Sequence, residues 1–166
     1  MNKRRAPLRK GDVFCVGLDE HTKQYFQYIA IDDTMLGSHV IKIFTRKYAI
    51  TEEPIITEII KSPVAFYVHV ILQFGIGGKY WTKVGQTAVI DDFSVWFRDT
   101  YDYGDGGKTN VSKNWRIWQI NQENNDVGVL PPQYYEAEIG LVMDPESIVE
   151  KMRNGHYNLT HYPDYV

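Results

Sequence analysis

The chain of 166 residues contains one cysteine, Cys15, so no internal disulfide framework holds this fold. Cys15 lies in the apolar run Val13-Phe14-Cys15-Val16, the setting of a buried structural thiol. A catalytic thiol needs a nearby base, and none stands close in sequence. Long hydrophobic runs are missing too. The longest, Val68–Leu72, is interrupted by His69 and falls far short of the roughly 18 apolar residues that a membrane span requires. Met1-Asn2-Lys3-Arg4-Arg5 starts like a signal peptide, but the residues that follow, Ala6 to Asp12, are too polar to be its core. The expected location is therefore cytoplasmic, where the sequons at Asn110 and Asn158 have no meaning as glycosylation sites. There is no Pro/Gly/Ser linker and no internal repeat. The expected organisation is a mobile basic arm over residues 1–10 and one β-rich globular domain over 11–166.

Excess charge of one sign is also scarce, with a net charge of −3, but it is unevenly spread. Residues 1–83 hold twelve Lys or Arg against eight Asp or Glu, and residues 84–166 hold six against thirteen. A chain of this balance, acidic in its second half, binds phosphate backbones poorly and suits a basic partner better. Membrane partners and direct nucleic-acid partners are not expected.

Aromatic residues make up 14% of the chain, with twelve Tyr, seven Phe and four Trp, and they favour strands. Strands are expected at Val13–Leu18 and Tyr25–Ile31 (a hairpin), His39–Thr45, Val64–Phe74, Tyr80–Val84, Phe93–Phe97, Trp115–Ile120, Val127–Leu130 and Ala137–Val142. A short helix is expected over Glu52–Ile60 from the spacing of Ile55, Ile56, Ile59 and Ile60. A second follows Asp144, a good N-cap, with Pro145 at the first helical position. Ile148, Val149 and Met152 form its inward stripe, Lys151 and Arg153 its last turn, and Gly155 its stop. The fold class is mainly β: a strongly bent antiparallel sheet or small SH3-like barrel, closed on one side by a C-terminal α-helix. Trp115 and Trp118, three apart on a strand, point to opposite faces, so one of them is expected in the core together with Trp81 and Trp96. The tail after Gly155 carries three tyrosines and no cation, and is expected to pack back onto the body.

No catalytic pattern is legible. Gly104-Asp105-Gly106-Gly107-Lys108-Thr109 looks like the end of a phosphate-binding loop, but the required first glycine is Asp102 and no helix is expected to follow. The carboxylates of Asp91–Asp105 lack the two-residue spacing and closing glutamate of an EF-hand. The histidines (His21, His39, His69, His156, His161) have no metal-ligand spacing. Cofactor-binding, metal and catalytic residues are therefore assigned to none. What remains is an acidic loop with interleaved tyrosines, and aromatic residues beside charge are typical interface anchors. Asp91, Asp92, Asp99, Tyr101, Asp102, Tyr103 and Asp105 are the expected partner-binding residues. Two alternatives stay open: an enzyme site assembled from His69 with Asp91 or Asp92, and a small regulatory domain that binds another protein or forms homo-oligomers.

Short stretches resemble the immunity protein 26 family of bacterial polymorphic toxin systems. They are Lys10-Gly11-Asp12-Val13-Phe14, Tyr25-Phe26-Gln27-Tyr28, the Trp81-x-x-Val84-Gly85 step, the Trp115–Ile120 strand and Glu138-Ile139-Gly140, scattered over residues 10–142. The terminal helix, the tyrosine tail and the acidic loop have no matching feature in the resemblance. It implies an all-β, SH3-like core and a non-enzymatic protein that neutralises a cognate toxin domain by binding it in the cytoplasm. It brings no catalytic residues with it.

Overall fold

The computed structural model describes residues 7–166. Of the expected basic arm over 1–10, residues 1–6 lie outside the described residues. Leu8 already packs against the core, and the Arg9 backbone N–H donates to the Asp12 carboxylate at 2.9 Å.

The chain is mainly β, with ten strands in two mixed sheets among the described residues. β1 (Asp12–Gly17), β2 (Thr22–Asp32) and β3 (Ser38–Ala49) form an antiparallel meander, with the short helix α1 (Ile56–Ile59) after it. β4 (Val64–Val70), helix α2 (Leu72–Gly77) and β5 (Thr82–Gln86) follow. Next come β6 (Trp96–Thr100), β7 (Trp115–Gln119), β8 (Asn125–Gly128), a 3-10 turn at Pro132–Tyr134, β9 (Glu138–Ile139) and β10 (Val142–Met143). Helix α3 (Pro145–Asn154) ends the regular structure. The larger sheet runs β10-β4-β3-β2-β1-β5 and the smaller β8-β7-β6-β9. The β10–β4 and β6–β9 pairs are parallel. The strands therefore split between two sheets, and no barrel closes.

The layering follows from side-chain alternation. One face of the larger sheet presents Phe14, Val16, Phe26, Ile41 and Val68 to Ile148, Val149 and Met152 of α3. The opposite face presents Ile29 and Val40 to Val95, Phe97 and Trp118 of the smaller sheet. The outer face of the smaller sheet buries Trp115, Ile117 and Leu130 beneath Tyr134, Tyr135, Tyr162 and Tyr165. Trp115 and Trp118 do alternate, but both are completely buried: β7 is covered on both sides, by the larger sheet and by the tail. Trp81 is in the core as expected, and Trp96 is half-buried in the outer cluster.

Helix α3 forms as its capping residues dictate. Asp144 accepts the Ser147 N–H at 2.9 Å and the Ser147 hydroxyl at 2.7 Å, and Gly155 closes the helix at φ 86°. The expected strand over Val64–Phe74 stops at Val70 and turns into α2. Leu72 and Gly75, three apart, are buried together there, and Leu72 C=O accepts the Trp81 indole N–H at 3.2 Å. The helix expected over Glu52–Ile60 shortens to one turn, with Ile59 buried and Ile55 exposed. Cys15 is half-buried, and burial pushes its thiol pKa up.

Gly140 shows how tightly β6, β7 and β9 meet. A Cβ there would stand 2.0 Å from the Trp118 ring. Gly140→Ala is expected to destabilise by about 1–3 kcal/mol through overpacking, measured as a lowered urea midpoint. An unchanged midpoint would mean that the ring gives way freely.

Candidate partner-binding surface

The expected acidic segment does not form one site, because β6 runs through it. Asp91 and Asp92 precede this strand, and Tyr101 to Asp105 follow it. Five residues of strand separate the two groups by on the order of 15 Å. Asp99, in the strand, is buried, ion-paired with the Arg116 guanidinium at 2.9 Å and within 3.4 Å of the Tyr162 hydroxyl. It is not a contact residue but a fastener between β6, β7 and the tail.

Beyond β6 the chain makes a turn held by its own carboxylates. Asp102 accepts the Ser112 hydroxyl at 2.7 Å and the Asn114 amide at 3.0 and 3.1 Å. Asp105 accepts the Lys108 N–H at 2.9 Å, and hydrogen bonds from the Thr109 side chain and from this backbone hold its carboxyl below the usual range. The glycines take positive φ, at 93° for Gly104, 81° for Gly106 and 78° for Gly107. The phosphate-loop look-alike is thus an ordinary glycine turn with no helix after it. The tyrosines are what face solvent. Tyr101 is 56% exposed, its hydroxyl donating to Asp126 at 2.9 Å and its ring lying 4.9 Å from the Arg116 guanidinium. Tyr103 is exposed and packs its ring 4.9 Å from that of Tyr162.

Asp91 and Asp92, which precede β6, are exposed, and a cleft of about 290 Å³ that neither of them lines opens at the start of that strand. Its walls include Tyr67, Trp96, Gln133, Glu136 and Glu138, and no Lys or Arg lines it. Burial pushes the Tyr67 phenol up, and the Glu138 and Asp91 carboxylates push it further, which places Asp91 close to the same cleft. Burial also pushes Glu138 up, against the Tyr67 N–H it accepts at 3.0 Å and against Lys151. Lys42, on the adjoining strand, is buried, and its pKa is lowered by that burial against the pull of Asp91. Tyr67, Trp96 and the Glu136–Glu138 segment come from three places in the chain. No spacing marked them, since the parallel β6–β9 pairing is what brings them together.

The enzyme alternative places His69 with Asp91 or Asp92. His69 is completely buried, and its Nε2 lies 2.9 Å from Asp32, not from either of those residues. A catalytic histidine must reach its substrate, so the site around His69 with Asp91 or Asp92 is not formed. The Asp32 carboxylate also accepts the Trp118 indole N–H at 3.1 Å and the Asn121 N–H at 3.0 Å. This node joins β2 and β4 of one sheet to β7 of the other. Among the described residues no group of His, Cys, Asp or Glu converges to hold a metal, and no helix is long and apolar enough to cross a membrane.

The sequence model of the immunity protein 26 family matches residues 9–107. The chain belongs to that family. Three of the resembling stretches lie inside the match, while Trp115–Ile120 and Glu138-Ile139-Gly140 lie beyond it. The match spans β1 to β6 and ends in the glycine turn, so α3 and the tail are outside it. No curated protein and no solved structure matches the chain. Membership suggests a toxin-neutralising role and a protein partner.

Proposed function

We propose that this protein neutralises a cognate toxin domain by occupying its basic surface, and converts no substrate itself. The observation that carries this is the cleft near Asp91, where the Tyr67 and Trp96 rings and the Glu136 and Glu138 carboxylates line a concavity whose walls hold no Lys or Arg. Such walls accept a lysine or arginine side chain, through its charge and through cation–π contact. Membership of an immunity family supplies the kind of partner. Toxins that act on nucleic acids carry basic clefts, and a carboxylate surface competes with the substrate backbone for them. In this proposal Asp91, Asp92 and Glu136 ring the anchor point, and Tyr101 and Tyr103 provide a second, exposed aromatic contact. Asp102 and Asp105 hold the turn that presents those tyrosines. The setting is the cytoplasm of the cell that makes the toxin.

The test is co-expression with the toxin domain encoded beside the gene, followed by titration calorimetry of the purified pair. Rescue of growth with one-to-one binding that weakens as salt rises is the expected result. Growth that stays inhibited, with no binding, would reject the proposal. Rescue by sub-stoichiometric protein that chemically alters the toxin would replace inhibition with catalysis.

A further inference from the structure

Four cations converge at the end of the molecule where α3 stops, and they line two adjoining clefts that share Lys151 and Gly155. The inner cleft, about 330 Å³, lies between the tail and β6, with Arg98, Lys151 and Tyr157 in its wall. The outer cleft, about 390 Å³, lies between the last turn of α3 and the strands β3 and β4. Lys47, Lys151 and Arg153 line it, and no carboxylate does. Last-turn cations on a helix commonly serve only its own carbonyls. Here Lys47 comes from β3 and Arg98 from β6, so three elements contribute.

Aromatic rings hold the inner cations in place. Arg98 is stacked 5.3 Å from the Trp115 ring and 4.8 Å from the Tyr165 ring, and its Nε donates to the Ala137 carbonyl at 3.2 Å. Lys151 sits 4.4 Å from the Phe66 ring and 4.3 Å from the Tyr157 ring, with Glu138 at 3.9 Å as its carboxylate neighbour. The Tyr157 hydroxyl is buried and has no hydrogen-bond partner. A ligand carboxylate would supply the acceptor it lacks.

We infer that the two clefts form one docking groove for an acidic peptide segment of a partner protein. One carboxylate would lie between Arg98, Lys151 and the Tyr157 hydroxyl, and a second between Lys47 and Arg153. Charge and shape both select a peptide. Glu138 and Asp164 stand beside the inner cleft, leaving it close to neutral, which suits a single carboxylate better than a phosphate dianion. The space above Gly155, which both clefts share, is open: a Cβ built there meets nothing within 4 Å, so this residue puts no obstacle between them. The groove meets the acidic cleft through the Lys151–Glu138 pair at 3.9 Å, but its occupancy does not depend on the toxin proposal.

Fluorescence anisotropy on the full chain tests this with a fluorescein-labelled hexaglutamate peptide, alongside a labelled single-stranded oligonucleotide. Saturable, salt-sensitive peptide binding is expected, with affinity lowered about tenfold by Lys47→Glu and about threefold by Tyr157→Phe. Lys47 is exposed, and Tyr157→Phe keeps the ring under Lys151, so both variants should retain the parent circular dichroism spectrum. The inference is overturned by peptide that fails to saturate at about 1 mM. It is also overturned by variants that bind the peptide as tightly as the parent, or by an oligonucleotide that binds as tightly as the peptide.

Discussion

Asp32→Ala is expected to bring the protein to the edge of unfolding, at a cost of about 3–5 kcal/mol. The residue is completely buried, and its carboxylate serves donors from two sheets: the His69 ring at 2.9 Å, the Trp118 indole at 3.1 Å and the Asn121 N–H at 3.0 Å. Alanine leaves each of them facing apolar side chains, with a void between the sheets. Against a total stability of about 5–15 kcal/mol, that is a large fraction. Urea unfolding followed by tryptophan fluorescence measures it, and a loss below about 1 kcal/mol would show that the node is not what joins the sheets. Asp32→Asn should fall between the parent and alanine, because one amide oxygen still accepts while the new NH₂ meets donors.

The same node gives stability a pH dependence of known sign. Burial lowers the His69 pKa from its ordinary 6.5, outweighing the opposing pull of Asp32, so the folded protein resists protonating this ring. The unfolded chain takes up that proton first, and stability falls as pH drops below about 6.5. Asp32 is also held below its ordinary 3.8. Burial opposes this, but hydrogen bonds from His69, Asn121 and Trp118 prevail. Its contribution is complete above the unfolded value and is lost as pH falls through the folded one. Both groups therefore act in the same direction but in successive windows: the urea midpoint should fall below about pH 6.5 through His69 and again below about pH 3.8 through Asp32. His69→Phe should flatten the upper part of that curve; a curve identical to the parent's would remove His69 from the account.

The second large effect is expected on affinity. Reversing Asp91, Asp92 and Glu136 to lysine should weaken toxin binding by about 100- to 1,000-fold, since a repelled cation at an anchor point loses its attraction and keeps its desolvation cost. All three side chains are exposed, so the fold should survive. Tyr101→Ala with Tyr103→Ala should cost only about tenfold, because these rings already spend part of their surface on Arg116 and Tyr162. Equal effects from the two sets would make the surface one continuous patch. A larger effect from the tyrosines would move the anchor to the glycine turn.

How much was legible depended on how far each signal reached along the chain. The β1–β2 hairpin was visible because its residues are consecutive, and its register, Val13 opposite Gln27, follows from the short connection. The acidic segment was visible as composition, but its geometry was not. Five residues of β6 divide it, and Asp99 disappears into an ion pair with Arg116, seventeen positions away. Glu136 and Glu138 carried no local signal, since they matter only where β9 lies beside β6.

The amino-acid order by itself determined the mainly β class and the terminal helix with its Asp144 cap and Gly155 stop. Backbone propensity, alternation and capping act over a few residues, so a one-dimensional string contains them in full. Only the tertiary structure decided that the strands divide into two sheets, that His69 pairs with Asp32, and that the acidic and the basic clefts form where they do. Each of those joins residues tens of positions apart. Such a contact exists because two faces must bury each other's apolar surface, and that requirement selects among many pairings that the local chemistry leaves equivalent.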